Sequence, residues 1–525
     1  MIRPARCLLL LSLAAALPAA LTAQANAVRA PRRATPASEN RALALITEAT
    51  FSAKLGALAH DSTRGRETPS PELDKAAAWI AERFRDAGLQ PAGDGNGFLQ
   101  RFQLRHTRLD SLTVITVAGP GHTTRWAMGR EIFFLNSSST ERRDLPVVLM
   151  AGPPADTARP FGDVPVRGAA VLLVVAPAQL RSAVLNPLAQ RASDEGVAAF
   201  VVLVDAPAER WAQMARRPAP ERWALAENAG RVADARVGLF QVRLDAAADL
   251  LRAAGEDPAT ILTPARQGIR PLPGFTLAVA PHEAVLDEPT VANVVGILEG
   301  SDPALRGEAV LFTGHMDHVG VVGGRCQPSR AVPADSICNG ADDNASGTVG
   351  VIELARAFAA LRPRPARTLV FAAVTAEERG LLGARYYLAH PVVPIDRTVA
   401  EINLEMIAHN PRDTVGLVEK DYSSLGGVVD RILREHPELR LAVKAHPGPY
   451  QASDHYPFAQ RGVPALFFFS GIDDDLHTSA DNPDRADAEQ AARIVRLVFR
   501  VGLDVANTVA RPTWDPAARA RLVQQ

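Results

Sequence analysis

Three short stretches bring together the residue types that hold a divalent cation and activate a water. AVLFTGHMDHVG is an apolar run ending in His315 and Asp317, and NGADDNASG carries the paired acids Asp342 and Asp343 ahead of a helical pattern. TLVFAAVTAEERG is a second apolar run, ending in Glu377 and Glu378. Imidazole and carboxylate groups are the usual zinc ligands, and one spare carboxylate in such a set can deprotonate water. Strand side chains alternate, so His315 and Asp317 fall on one side, one to bind metal and the other to orient it. Taken singly, each stretch has a bland reading: a surface His-x-Asp, or acids that serve a helix cap and dipole. Apolar strands leading into both the His315 and the Glu377 pieces make a shared site the better reading. Glu405 ends the strand candidate AEINLEM, and His477 lies in DDDLHTSADNPD, soon after PALFFF. His318, His409 and His455 are nearby competitors that spacing alone does not exclude.

These residues need a scaffold that delivers them to one edge. AVLFTG, TLVFAAV, AEINLEM and PALFFF read as buried strands, alternating with helical patterns at 346–361, 380–389, 424–435 and 486–505. That alternation predicts an α/β fold with a mostly parallel central sheet and helices on both faces. Ligands then bind beyond the C-terminal strand ends. Upstream, helices are expected at 41–60 and 71–88, the second opened by Ser70-Pro71 and stopped by Gly88. FLQRFQLRHT and LTVITVAG alternate as strands near a sheet edge. From 120 to 272 the character changes: RDLPVVLMAG, GAAVLLVVAP, VAAFVVLVDAP and VGLFQVRL are strand candidates, with a helix at 179–195 and no tight cluster of His and acids. This block reads as a smaller α/β domain inserted into the first; the alternative is that its strands extend the first sheet. The remaining chain divides into a lead-in and N-terminal part at 26–119, the main part at 273–510 and a tail at 511–525.

The chain has 525 residues, with 57 basic and 58 acidic side chains and a formal net charge of -1. That balance gives no electrostatic case for nucleic acid or for a membrane surface. Arg3 and Arg6 precede an apolar run at 7–21, followed by small residues at Ala23 and Ala25. This is the order of a secretory signal peptide, expected at 1–25, and the run is shorter than the ~20 apolar residues of a membrane span. Export to the periplasm or the extracellular space is the expectation, with no stable membrane insertion after cleavage. Residues 26–40, rich in Ala, Pro and Arg, read as a disordered lead-in. Beyond the leader only Cys326 and Cys338 remain, an even pair in an oxidising compartment. A disulfide pinning the loop between the first two site pieces is expected; free thiols and a zinc ligand pair are the alternatives.

GHMDHVG, NGADDNASG, TAEERGLLGARYY, NLEM, SDHYPF and LHTSADNPD occur in order, and together they resemble the co-catalytic dizinc exopeptidases of peptidase family M28. The likeness covers roughly 40–115 and 275–505, and the inserted block resembles a protease-associated (PA) domain. The resemblance implies two Zn2+ ions, with His315 and Glu405 on one, Glu378 and His477 on the other, and Asp342 bridging them. It implies Glu377 as general base and Asp317 as the residue orienting His315, with a cis peptide joining Asp342 to Asp343. Family members commonly carry Asp where this chain has Glu405. The implied activity is hydrolysis of a terminal peptide bond, as an aminopeptidase acting on peptide substrates. A carboxypeptidase or dipeptidase, a glutaminyl cyclase and a non-catalytic binding protein are the alternatives. A two-metal phosphatase or nuclease is disfavoured because no basic phosphate clamp is evident.

Overall fold

The computed structural model describes residues 33–134, 141–154, 156–176, 182–205, 207–215, 219–228, 238–409, 411–446 and 450–524. The expected signal peptide and the first residues of the lead-in lie outside this set. Among the described residues, no helix is long and apolar enough to cross a membrane.

Strand propensity and burial agree over four segments, Ala309–His315, Thr368–Val374, Thr398–Glu405 and Ala465–Phe469, which are buried along their whole length. They are mutually parallel neighbours at the centre of an 11-stranded sheet. Apolar residues on both strand faces require cover on both sides, and the packing supplies it. Val310, Phe312, Leu369 and Phe371 join one core with the helix Gly347–Ala360 and the long helix Ala488–Asn507. Their neighbours Ala309, Leu311, Val370 and Ala372 join another core with Ala384, Tyr387 and Phe458 on the opposite face. Outside the centre the pairing turns antiparallel, at Thr290–Leu298 against both Thr368–Val374 and Leu99–Leu109, and at Thr414–Val418 against Ala465–Phe469. The parallel arrangement read from the sequence therefore describes the middle of the sheet, which antiparallel pairings flank, and at one end Thr414–Val418 pairs parallel with Ala442–His446.

The helix Pro71–Asp86 forms where its signals lie. Ser70 Oγ accepts the Leu73 amide at 3.0 Å, and Gly88 adopts a positive φ of 80° just past the end. Leu89 N–H then reaches back to the Phe84 carbonyl. The single helix expected at 41–60 is instead two, Pro36–Leu43 and Glu48–Leu58. Thr47 starts the second by a reciprocal cap with Thr50, a local hydrogen-bonding option that competes with helix continuation. The first begins within the segment expected to be disordered, and Ala42 and Leu43 pack into the core.

A second sheet of eight strands holds most of the block between the two halves. Its strands begin at Val114–Gly119 and end at Gly268–Ala280, so the sheet extends beyond both 120 and 272. The two end strands pair antiparallel with each other, a long-range choice that alternation in LTVITVAG does not reveal. One strand of the block, Glu221–Leu225, leaves this sheet and pairs with Leu99–Leu109 of the first. The last helix, Pro516–Gln524, lies within the expected tail, and Trp514 just before it donates to the Gly462 carbonyl at 2.8 Å.

Candidate metal centre

Parallel register sets the edge. His315 pairs with Val374, and Glu405 with Phe469, so His315, Glu377, Glu378 and Glu405 all emerge near the same C-terminal strand ends. Non-glycine residues with left-handed backbone sit beside or within this set: Ala376, Met406 and His477, with φ of 56°, 51° and 56°. Such conformations persist where surrounding contacts hold them, and here they aim Glu377, Glu405 and the His477 ring.

Asp343 is the centre of the geometry. Its Oδ1 lies 3.3 Å from His315 Nε2, and its Oδ2 lies 3.2 Å from His477 Nε2. Glu405 Oε2 and Glu377 Oε2 each lie 4.0 Å from His315 Nε2. On the other side Glu378 Oε1 is 3.0 Å from His477 Nε2. His318 Nδ1 joins that side, 3.4 Å from both Asp343 Oδ2 and Glu378 Oε1. Two nests of donors thus share one carboxylate.

Asp342, expected at the bridge, does not reach either nest. Its Oδ1 accepts the Ala408 amide at 2.7 Å, which ties it to the loop following Glu405. The cis bond is correspondingly one residue later, between Asp343 and Asn344. Two adjacent acids cannot both face one point, and the backbone decides between them. The amides of Asp342 and Asp343 both donate to Asp481, at 2.7 and 3.0 Å, and hold the turn. Gly340 is required there, because a Cβ would stand 2.3 Å from the Asp343 carbonyl oxygen and 2.6 Å from the His318 ring.

Asp317 acts differently from the expected carboxylate–imidazole pair. The atom within hydrogen-bond distance of His315 Nδ1 is the Asp317 carbonyl, at 3.1 Å, whereas its carboxylate is 3.8 Å away. With Nδ1 turned to that carbonyl, Nε2 is the ring nitrogen that faces the centre. The Asp317 carboxylate instead accepts the Glu377 amide at 3.2 Å and the Thr68 hydroxyl at 2.8 Å.

Several supporting residues carry no sequence signal. Arg66, in a polar loop, is fully buried, and donates to the carbonyls of Met316, Asn339 and Gly340 at 2.8, 2.8 and 2.9 Å. It clamps the His315 and Asp343 segments together; burial lowers its pKa to about 10 against the pull of Asp481, Asp343 and Asp317. Ser453 donates to Glu405 Oε2 and accepts from Asn403 at 2.6 Å. The SDHYPF segment thereby braces Glu405. His409 pairs with Asp473 at 2.7 Å, outside the centre. His455 is buried, stacked on Phe467 at 4.3 Å, with its pKa pushed down to about 3 by burial.

Burial and crowding set the charges. Burial favours the neutral imidazole of His315, but Glu377, Asp343 and Glu405 outweigh it and hold the ring well above its ordinary pKa. Burial also lifts Glu377 well above the carboxylate range, opposed by His315 and reinforced by Glu405 and Glu378. Glu405 is raised to about 8, again chiefly by burial. Burial and Asp343 would raise Glu378 as well, yet His318 and His477 bring it down to about 2.

The donor set fits zinc. Ligand atoms on one tetrahedral ion, at bonds of ~2.0–2.2 Å, lie roughly 3.3–3.6 Å apart, close to the separations around Asp343. His315 Nε2, His318 Nδ1 and Glu378 Oε1 are buried without a hydrogen-bond partner. Buried polar atoms are seldom left so unless an ion or water completes them. His315, Asp343 and Glu405 would hold one ion; Asp343, Glu378 and His477 would hold the other. His318 is a further ligand candidate on the second side, with His318, Asp343, Glu378 and His477 able to converge on one point.

Residues 293–502 match the model of Peptidase family M28. Every ligand candidate and Glu377 lie inside this matched segment; Arg66 and Thr68 reach it from the N-terminal region. A probable zinc metalloprotease of Leptosphaeria maculans is 38% identical over 96 residues, 18% of this chain and 20% of that protein. Leupeptin-inactivating enzyme 1 of Streptomyces exfoliatus is 30% identical over 150 residues, 26% of this chain and 31% of that protein. The chain thus spans about a fifth to a third of the length of these curated relatives. A solved aminopeptidase from Aneurinibacillus sp. strain AM-1 aligns with a TM-score of 0.47 at 18% identity, over 91% of this chain and 97% of that one.

A disulfide joins Cys326 and Cys338, whose Cα atoms are 5.8 Å apart. It closes residues 326–338 into a loop, and Arg325 immediately before it places its guanidinium 3.1 Å from Glu378 Oε2.

Proposed function

We propose that this chain is an exported zinc-dependent exopeptidase, acting as an aminopeptidase with two zinc ions. The observation that carries the reading is Asp343 standing between His315 and His477, with Glu377 beside the pair. Zinc, when bound, supplies Lewis acidity that acidifies a water and polarises the scissile carbonyl. Glu377 is the base: held through its own amide by Asp317, it takes a proton from the attacking water and returns it to the leaving amine. Its raised affinity for a proton, set by burial among Glu405 and Glu378, suits that exchange. His315 is held by the Asp317 carbonyl with Nε2 toward the centre, and Ser453 fixes the Glu405 carboxylate. A free substrate amine is cationic, and the carboxylates around Asp343 attract it, which favours the amino end over the carboxyl end. The block between 120 and 272 is proposed as a PA-like domain that helps cover the cleft, since its strand Glu221–Leu225 is hydrogen-bonded into the first sheet. The leader pattern and the Cys326–Cys338 disulfide support export.

The deciding experiment incubates the full chain with peptides bearing free, N-acetylated and C-amidated ends, with zinc and with chelator, read by mass spectrometry. Zinc-dependent removal of single residues from free amino termini is expected. Removal from the carboxyl end would transfer the assignment to a carboxypeptidase, and cleavage indifferent to chelator would overturn the metal mechanism.

A further inference from the structure

The cavity over the metal centre, about 500 Å³, has an apolar wall of Leu381, Met406, Phe467, Phe469, Ile472 and Leu476. A larger cavity of about 820 Å³ opens beside it, and the two share Arg325, Glu378, Gly380 and Arg385 as a common wall. The larger cavity is lined by more guanidinium than carboxylate groups, with Arg222, Arg325 and Arg379 already facing Glu283, Glu378 and Glu67. Arg222, Arg325, Arg379, Arg385 and Arg461 line it, against the two carboxylates of Glu221 and Glu378. Glu221 is already engaged by His106 at 2.9 Å. Several of these guanidinium groups are held in place. Arg379 donates to the Thr68 carbonyl at 3.0 Å, pairs with Glu67 at 2.7 Å and lies over the Trp223 ring at 5.2 Å. Arg385 Nε donates to the Gly380 carbonyl at 3.2 Å. The strand Glu221–Leu225, which crosses from the second unit into the first sheet, supplies Arg222 and the Trp223 surface.

We propose that this arginine-lined cleft binds a carboxylate on the leaving-group side of the substrate, so that the enzyme acts preferentially on dipeptides or on peptides with an acidic residue after the cleaved bond. The inference rests on the exopeptidase reading above. A substrate that places its first side chain against the apolar wall and its scissile carbonyl at the centre sends the rest of its chain past Arg325 and Arg385. Guanidinium groups match a carboxylate with two parallel N–H donors, and the partly enclosed cleft strengthens the pairing. A free α-carboxylate and an acidic side chain offer the same chemistry, and substrates separate them.

The test compares Leu-Ala, Leu-Ala-amide, Leu-Asp-amide and leucine 4-nitroanilide on the zinc-loaded full chain, in the wild type and in Arg385→Met, Arg385→Lys and Arg461→Met variants. The expected kcat/KM for Leu-Ala exceeds that for Leu-Ala-amide by about tenfold or more, the scale of one charge-assisted contact (~1.4 kcal/mol). The methionine variants lose this ratio through KM, Arg385→Lys retains part of it, and leucine 4-nitroanilide reports folding and chemistry without a carboxylate. A preference for Leu-Asp-amide alone assigns the cleft to acidic side chains; a preference for Leu-Ala alone assigns it to chain ends. Equal kcat/KM for all four substrates would overturn the proposal and leave the exopeptidase intact. If nothing is cleaved, the exopeptidase reading fails, and calorimetric binding of Leu-Ala and Leu-Ala-amide to the Glu377→Gln variant still decides the cleft: equal affinities refute it.

Discussion

The amide of Glu377 donates to the carboxylate of Asp317 across 3.2 Å. The residue two places beyond the His315 strand end thus positions the proposed base, which lies three residues past the end of the neighbouring strand Thr368–Val374. Thr68 secures the same carboxylate from a distant loop. Removing that hydroxyl leaves a buried carboxylate short of a donor, at a cost of about 1–3 kcal/mol. Thr68→Val is therefore expected to lower the thermal midpoint and to reduce kcat more than it raises KM, measured by calorimetry and steady-state kinetics.

Asp343 and Asp342 are expected to part cleanly. Asp343→Asn should lose bound zinc and nearly all turnover, because it removes the shared carboxylate from both nests. Asp342→Asn should keep its zinc and most of its stability, because an asparagine Oδ1 can still accept from the Ala408 amide. Metal analysis of both purified variants checks this; equal zinc loss would return the bridge to Asp342.

Glu377→Gln should retain zinc and leave KM little changed while kcat falls roughly 10²–10⁴-fold, the usual scale of general acid–base assistance. Stopped assays with metal content measured on the same sample separate a lost base from a lost ion. Turnover near wild type would assign the proton transfer elsewhere.

Glu308 sits between Arg367 and Arg511, with Arg367 Nε at 2.7 Å and fully buried. Partial burial tends to raise the Glu308 pKa, but the two arginines win and hold it below its ordinary 4.5. A carboxylate bound more tightly in its charged form stabilises the fold above pH 4.5, and that contribution disappears as pH falls through the depressed folded value. Glu308→Gln should consequently be less stable than wild type at pH 7, by about 1 kcal/mol or less because solvent screens this partly exposed group. The gap should close as the solution is acidified below pH 4.5. Denaturant titrations at both ends of that range measure it.

The chain itself determined a good part of this. Four short strand patterns predicted the middle of a sheet, and their polar ends named His315, Glu377, Glu378 and Glu405 as residues of one sheet edge. Ser70-Pro71 and Gly88 marked a helix because caps are local chemistry, readable without partners. What the tertiary structure decided was everything set by long-range contact. Asp342 and Asp343 are adjacent and chemically identical, and only the turn held by Asp481 shows which one faces His315 and His477. Asp317 lies where alternation puts it, yet its carbonyl serves His315 while its carboxylate serves Glu377, a division of labour that only atomic positions reveal. Arg66 and Thr68 sit in the polar stretch DSTRGRETPS between two helices, and burial against the site makes one a clamp and the other a donor. The strand Glu221–Leu225 is not among the apolar strand candidates of the block, and only the ladder with Leu99–Leu109 brings its arginine to the cleft. Periodicity and local capping are written in a few consecutive residues, whereas orientation at a shared point depends on segments hundreds of residues apart.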